Sequence, residues 1–128
     1  MSATAAFGRL SGHQRIDGQL MRASGQSIAV IDPATEELIG EISEAGPDEI
    51  AQSIAAANAA QRSWRKLNHH RRAELLHEAS RRMIADRPVV AEMLTREMGK
   101  PYKESFDEVG WSASAVDYYA EIARHENG

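Results

Sequence analysis

Three histidines are the first candidates for chemistry. His69, His70 and His77 lie in one polar stretch. A zinc-binding helix needs two histidines four residues apart, so that both reach one ion from one face. His70 and His77 are seven residues apart, two turns along a helix and too far for a shared ion. Glu104, Asp107 and Glu108 gather carboxylates that could share acid–base work. Their helical spacing instead marks a solvated face. Lys100 follows a helix stop, where a cation offsets the negative end of the helix dipole. Arg62, Arg65, Lys66, Arg71, Arg72, Arg81 and Arg82 form a basic stretch. No nucleic-acid reading motif accompanies them. Glu74 and Glu78 lie among them, so they read as charged helix faces rather than a nucleic-acid surface.

What the chain lacks also bounds its chemistry. Its 128 residues include no cysteine, which excludes disulfides, thiolate metal sites and a cysteine nucleophile within it. The nine glycines are scattered and form no strand-to-helix loop of the kind that cradles a pyrophosphate. A net charge of −4 argues against a coat for nucleic acid or an anionic membrane. No apolar run approaches the roughly 20 residues of a membrane span. Residues 1–14 carry no apolar core of signal-peptide length, and a cytoplasmic location is expected. The composition, 42% hydrophobic and 27% charged, is that of a globular domain.

These side chains must be held by the elements around them. Residues 1–14, rich in Ala, Ser and Gly, read as an unordered leader. Residues 15–128 read as one unit. Ile16–Leu20 is a short extended piece with a tight turn. Ile28–Ile31 is an apolar, partly β-branched strand. Asp32–Pro33 breaks it, with the Asp side chain free to bond the backbone two residues on. Leu38–Ile42 then returns as its antiparallel partner. Such a ribbon needs something to pack against.

Helices follow. Gly46–Pro47–Asp48–Glu49 is a helix start, with proline at the first turn and acids at the positive end. Ile50, Ile54, Ala57, Gln61 and Trp64 recur on one face. Asn68 caps a second helix with Leu75, Leu76, Ala79 and Met83 inward. Asp86–Arg87–Pro88 reads as a break that starts a third helix. Gly99 and Pro101 end that one. A fourth runs from Tyr102 to about His125, with Phe106, Val109, Ala113, Val116 and Ala120 on its stripe. The expected segment is therefore mostly α-helical, a short antiparallel β-ribbon followed by four helices.

Ile31–Asp32–Pro33–Ala34–Thr35, the run Ile50–Trp64, Arg72–Ala73–Glu74–Leu75–Leu76, Glu97–Met98–Gly99–Lys100–Pro101 and Asp117–Tyr118–Tyr119–Ala120 occur in one order and spacing. Together they resemble the N-terminal segment of the NAD(P)-dependent aldehyde dehydrogenases. Glu36 departs from that pattern, where the family often has glycine in the turn. The resemblance implies an α/β fold, of which residues 15–128 are the incomplete outer part of the cofactor-binding domain. It implies an oxidoreductase that converts aldehydes to acids with NAD or NADP, by a cysteine thiolate and a carboxylate-activated water. It also implies a homo-oligomeric parent. This segment is then a fragment with no catalytic and no cofactor-binding residue, inactive alone, with the remainder of the enzyme or family subunits as its partners. Several members hold a monovalent cation with a backbone carbonyl before the Asx-Pro turn and with the acid of the Gly-Lys-Pro element. The matching positions are Ile31, or Val30, and Glu97. The alternative reading is a non-catalytic helical interaction module derived from the family.

Overall fold

Asp17 and Gly18 both have positive φ, 50° and 75°, and so close a tight hairpin of the type whose twist suits paired strands. The hairpin joins β1 (His13–Ile16) to β2 (Gln19–Arg22). A second ribbon pairs β3 (Ser27–Ile31) antiparallel with β4 (Leu38–Ser43). This computed structural model describes residues 2–125; residues 126–128 of the expected unit lie outside them. The ribbons touch along β1 and β4. Gly12 N–H donates to Glu41 O at 2.9 Å, and Gln14 Nε2 donates to Ser43 O at 2.9 Å.

The expected unordered leader is corrected. Ala3–Leu10 forms a helix, α1. Ser2 Oγ accepts the Ala5 N–H at 3.3 Å, satisfying one of the unpaired donors of a helix start. Ala3, Ala6 and Phe7 are buried, and the helix lies against β4 and the long helix His69–Met98. Polar composition concealed an apolar face at spacings of three and four.

α2 spans Pro47–Trp64, with Gly46 as its N-cap. Glu49 ties its start to the loop before β3, accepting from Ser24 N–H at 3.0 Å and Ser24 Oγ at 2.8 Å. None of its residues is buried; Ile50 and Ile54 are 50% and 57% exposed. α3 runs from His69 to Met98 and α4 from Tyr102 to His125. Asn68 caps α3 through the Arg71 N–H at 2.8 Å. Gly99 ends it at φ 73°, in the left-handed region, as a helix-stopping glycine does.

The break expected at Pro88 is also corrected, because α3 passes through it as one helix of 30 residues. Proline there removes a backbone donor. Arg87, just before it, is anchored on α4. Its Nε donates to Phe106 O at 2.6 Å, and its guanidinium lies 3.7 Å from the Phe106 ring centre. Among the described residues four helices are present, one ahead of the ribbons and three after them.

α3 and α4 form the largest packed junction. Its buried seam consists of small residues, Ala73, Ser80 and Ala91 against Ser105, Ala113 and Ala120, with Val109. Small side chains let two helices approach closely. Leu75 and Ala79, expected inward, are exposed, whereas Leu76 and Met83 are half-buried. The seam lies one step around the helix from the large apolar positions.

Candidate functional site

Asp32 organises the turn where the sequence places part of a cation site. Its side chain accepts the Ala34 N–H at 2.9 Å, the local bond expected of Asp before proline. Its backbone closes the turn from both sides, with Asp32 N–H to Glu37 O at 2.9 Å and Glu36 N–H to Asp32 O at 2.8 Å. The carboxylate is buried, and Arg96 Nε lies 3.7 Å away. The strand register slips between Val30 and Ile31, freeing the ladder from its regular pairing at the residues named for the site.

Glu97 lies in the last turn of α3, one residue beyond Arg96. Val30 and Glu97 line one cavity of about 180 Å³, together with Phe7, His13, Glu41 and Met93. Ile31 does not line it and is 44% exposed. The structure thus brings Val30 and Glu97 together and leaves Ile31 beside them. Glu41 and Phe7 escaped the sequence reading. Alternation along β4 was the available signal for Glu41, and α1's helical spacing was the signal for Phe7.

The other candidates separate cleanly. The His69 and His70 rings lie tilted by 44° with their centres 4.3 Å apart, and His77 faces α4 instead. Among the described residues, no group of three or more His, Cys, Asp or Glu is arranged to hold a metal ion. Asp107 bonds Lys103 at 2.8 Å, and Glu108 bonds Lys100. The pull of Lys103 holds the Asp107 carboxyl below its ordinary range. Arg71 pairs with Glu74, and Arg81 and Arg82 pair with Glu78, each at 2.8 Å. Among the described residues, no helix is long and apolar enough to cross a membrane.

The long helix starts bear on phosphate binding, which needs unsatisfied N–H groups and open space. A Cβ on Gly46 would stand 2.6 Å from Ser24 Oγ and 2.7 Å from Glu49 Oε2, so a carboxylate already fills the start of α2. The Asn68 side chain closes α3, and α4 carries Glu104 in its first turn.

Comparison with known proteins decides the family. The pattern of the aldehyde dehydrogenase family matches residues 20–128. The chain belongs to the aldehyde dehydrogenase family. It is 34% identical over 114 residues to 3,6-anhydro-alpha-L-galactose dehydrogenase of a Vibrio species, covering 88% of this chain and 24% of that enzyme. To the NAD(P)+ succinate semialdehyde dehydrogenase of Escherichia coli it is 41% identical over 91 residues, 71% of this chain and 20% of the relative. Lactaldehyde dehydrogenase from Escherichia coli superposes with a TM-score of 0.85 at 31% identity, over 92% of this chain and 25% of that one. Betaine aldehyde dehydrogenase from Staphylococcus aureus, solved with NAD+, shares the fold at a TM-score of 0.88. The chain spans about a quarter of the length of these relatives, which are much longer enzymes. The aldehyde dehydrogenase fold, in its mostly helical N-terminal part, is what the structure contains.

Proposed function

We propose that this chain is the N-terminal scaffold of an enzyme that oxidises an aldehyde to a carboxylic acid with NAD or NADP, and that it performs no turnover by itself. The observation that carries this reading is a family match along residues 20–128 of a chain without cysteine. A thiolate that attacks the carbonyl, as the resemblance implies, must then come from elsewhere in the protein. Exposed apolar faces support the same reading. Ile50 and Ile54 on α2, and Trp111, Tyr118 and Tyr119 on α4, lie open, and large apolar groups gathered on a surface ordinarily mark a contact. The partners are accordingly the remainder of the enzyme or family subunits, in a cytoplasmic homo-oligomer. An independent interaction module would present these faces too, but the continuity of the family match favours the scaffold.

The nicotinamide dinucleotide is held outside residues 2–125 in this reading, because the helix starts described above are filled. Calorimetric titration of the purified chain with NAD and with NADP tests that point. No saturable heat is expected. Saturable, stoichiometric binding of either dinucleotide would place the cofactor site here and overturn it.

The same reading assigns a monovalent cation to the corner between β3 and α3, with the Ile31 or Val30 carbonyl and the Glu97 carboxylate as oxygen ligands. The shared cavity of Val30 and Glu97 and the slipped register between Val30 and Ile31 support it.

A further inference from the structure

His77 lies on α3 at the junction with α4, and both of its ring nitrogens meet carboxylates. Nδ1 is 2.7 Å from Asp117 Oδ1, and Nε2 is 2.6 Å from Glu121 Oε1. Asp117 and Glu121 are one turn apart on α4, so they grip the ring from two successive positions of one face. Asp117 is itself positioned by Ser80, whose Oγ lies 2.8 Å from Asp117 Oδ2 and 3.0 Å from Ala113 O. The imidazole side chain is only 24% exposed.

A neutral imidazole has one N–H to donate and one lone pair. Between two carboxylates, that lone pair would face an acceptor at hydrogen-bond distance. Only the imidazolium donates in both directions, and such charge-assisted bonds are the strong ones. We propose that His77 is a proton-operated clamp, fastening α3 to α4 when its ring carries two protons and releasing one of the two ties when it carries one.

The surrounding charges agree with this. On α3, the remaining charged groups near the clamp are Arg81, which acts on Asp117, and Glu74, which is influenced by Arg71, Arg124 and His70. On α4, Arg124 lies 3.3 Å from Glu121. Asp117 and Glu121 hold His77 above the ordinary imidazole range, against the opposing effect of burial. His77 and Ser80 hold Asp117 below the ordinary carboxylate range. A histidine raised on folding stabilises the fold fully below its unfolded value of about 6.5 and ceases to do so as pH climbs through the raised value. An aspartate lowered on folding contributes above its unfolded value of about 3.9, and that contribution disappears as pH falls through the lowered value. The clamp is therefore closed in a window bounded by Asp117 below and His77 above. Its opening on the alkaline side loosens the junction between the two longest helices.

The test is a proton NMR titration of the full chain with labelled histidine, the His77 signal being assigned by its absence in His77→Gln. The His77 midpoint is expected above its value in the denatured chain. In Asp117→Asn it should move down toward that value. Thermal melts followed by circular dichroism supply a second readout. The advantage of the wild-type chain over His77→Gln should be level from about pH 4 to about pH 6 and fall as pH rises above that. A His77 midpoint at or below that of the denatured chain, or a stability difference that does not change with pH, overturns the proposal.

Discussion

Glu36 occupies a backbone position that ordinarily belongs to glycine. Its φ is 61°, in the left-handed region, where a Cβ costs roughly 1–2 kcal/mol. The position is imposed by the turn, because Glu36 N–H must reach Asp32 O at 2.8 Å. The departure noted in the sequence thus acquires a physical meaning. Glycine serves this turn without strain, and Glu36 makes the same turn with strain. Glu36→Gly is expected to raise stability by about 0.5–1 kcal/mol, since the relief is partly offset by the added freedom of the unfolded chain. Equilibrium unfolding in urea measures it. A loss of stability would mean that the Glu36 side chain contributes something its strained backbone conceals.

At the scale of elements, most of the punctuation was legible because it depends on neighbouring residues. The Asn68 cap, the Gly46–Pro47 start, the Gly99 stop and the Asp32 turn are all local bonds or local torsions, and they stand where the spacing puts them. What escaped depends on distant residues. α3 runs on through Pro88, and Arg87 beside it is anchored on Phe106 of α4, nineteen positions along the chain. α1 is held by burial of Phe7 beside Gly40 and Arg96, contacts that no local window contains. The candidate cation corner is likewise made by two elements, β3 with its slipped register and the last turn of α3. Its local half, the turn, was readable. Its third wall, Glu41 on β4, was not. If a small cation binds there, the chain should melt higher in potassium or sodium chloride than in tetramethylammonium chloride of equal ionic strength. Glu97→Gln should remove that difference. Equal melting temperatures of the wild-type chain in all three salts would contradict the site.

At the scale of the whole molecule, the distribution of apolar residues is the telling feature. Apart from Phe7, Ile16 and Val109, the buried hydrophobic residues are alanines. Many of the larger groups lie outside, Trp111 at 72% exposure among them. A fully buried large side chain contributes about 1.5–3 kcal/mol, so much of this segment's capacity for stabilisation is not used within it. The sequence showed the periodicity of these faces but not their partner, because periodicity states that a face is apolar and not what covers it. The match to about a quarter of each relative's length and the absence of cysteine agree with that distribution. Together they support the proposal that the segment plays a supporting part in aldehyde oxidation.

The central claim is that this segment supports the reaction without performing it. The most direct measurement is formation of NADH or NADPH by the purified chain, supplied with either dinucleotide and a panel of aliphatic, semialdehyde and hydroxyaldehyde substrates. No rate above the protein-free blank is expected at any chain concentration. A rate proportional to chain concentration, unchanged after the preparation is shown free of other dehydrogenases, would contradict the account.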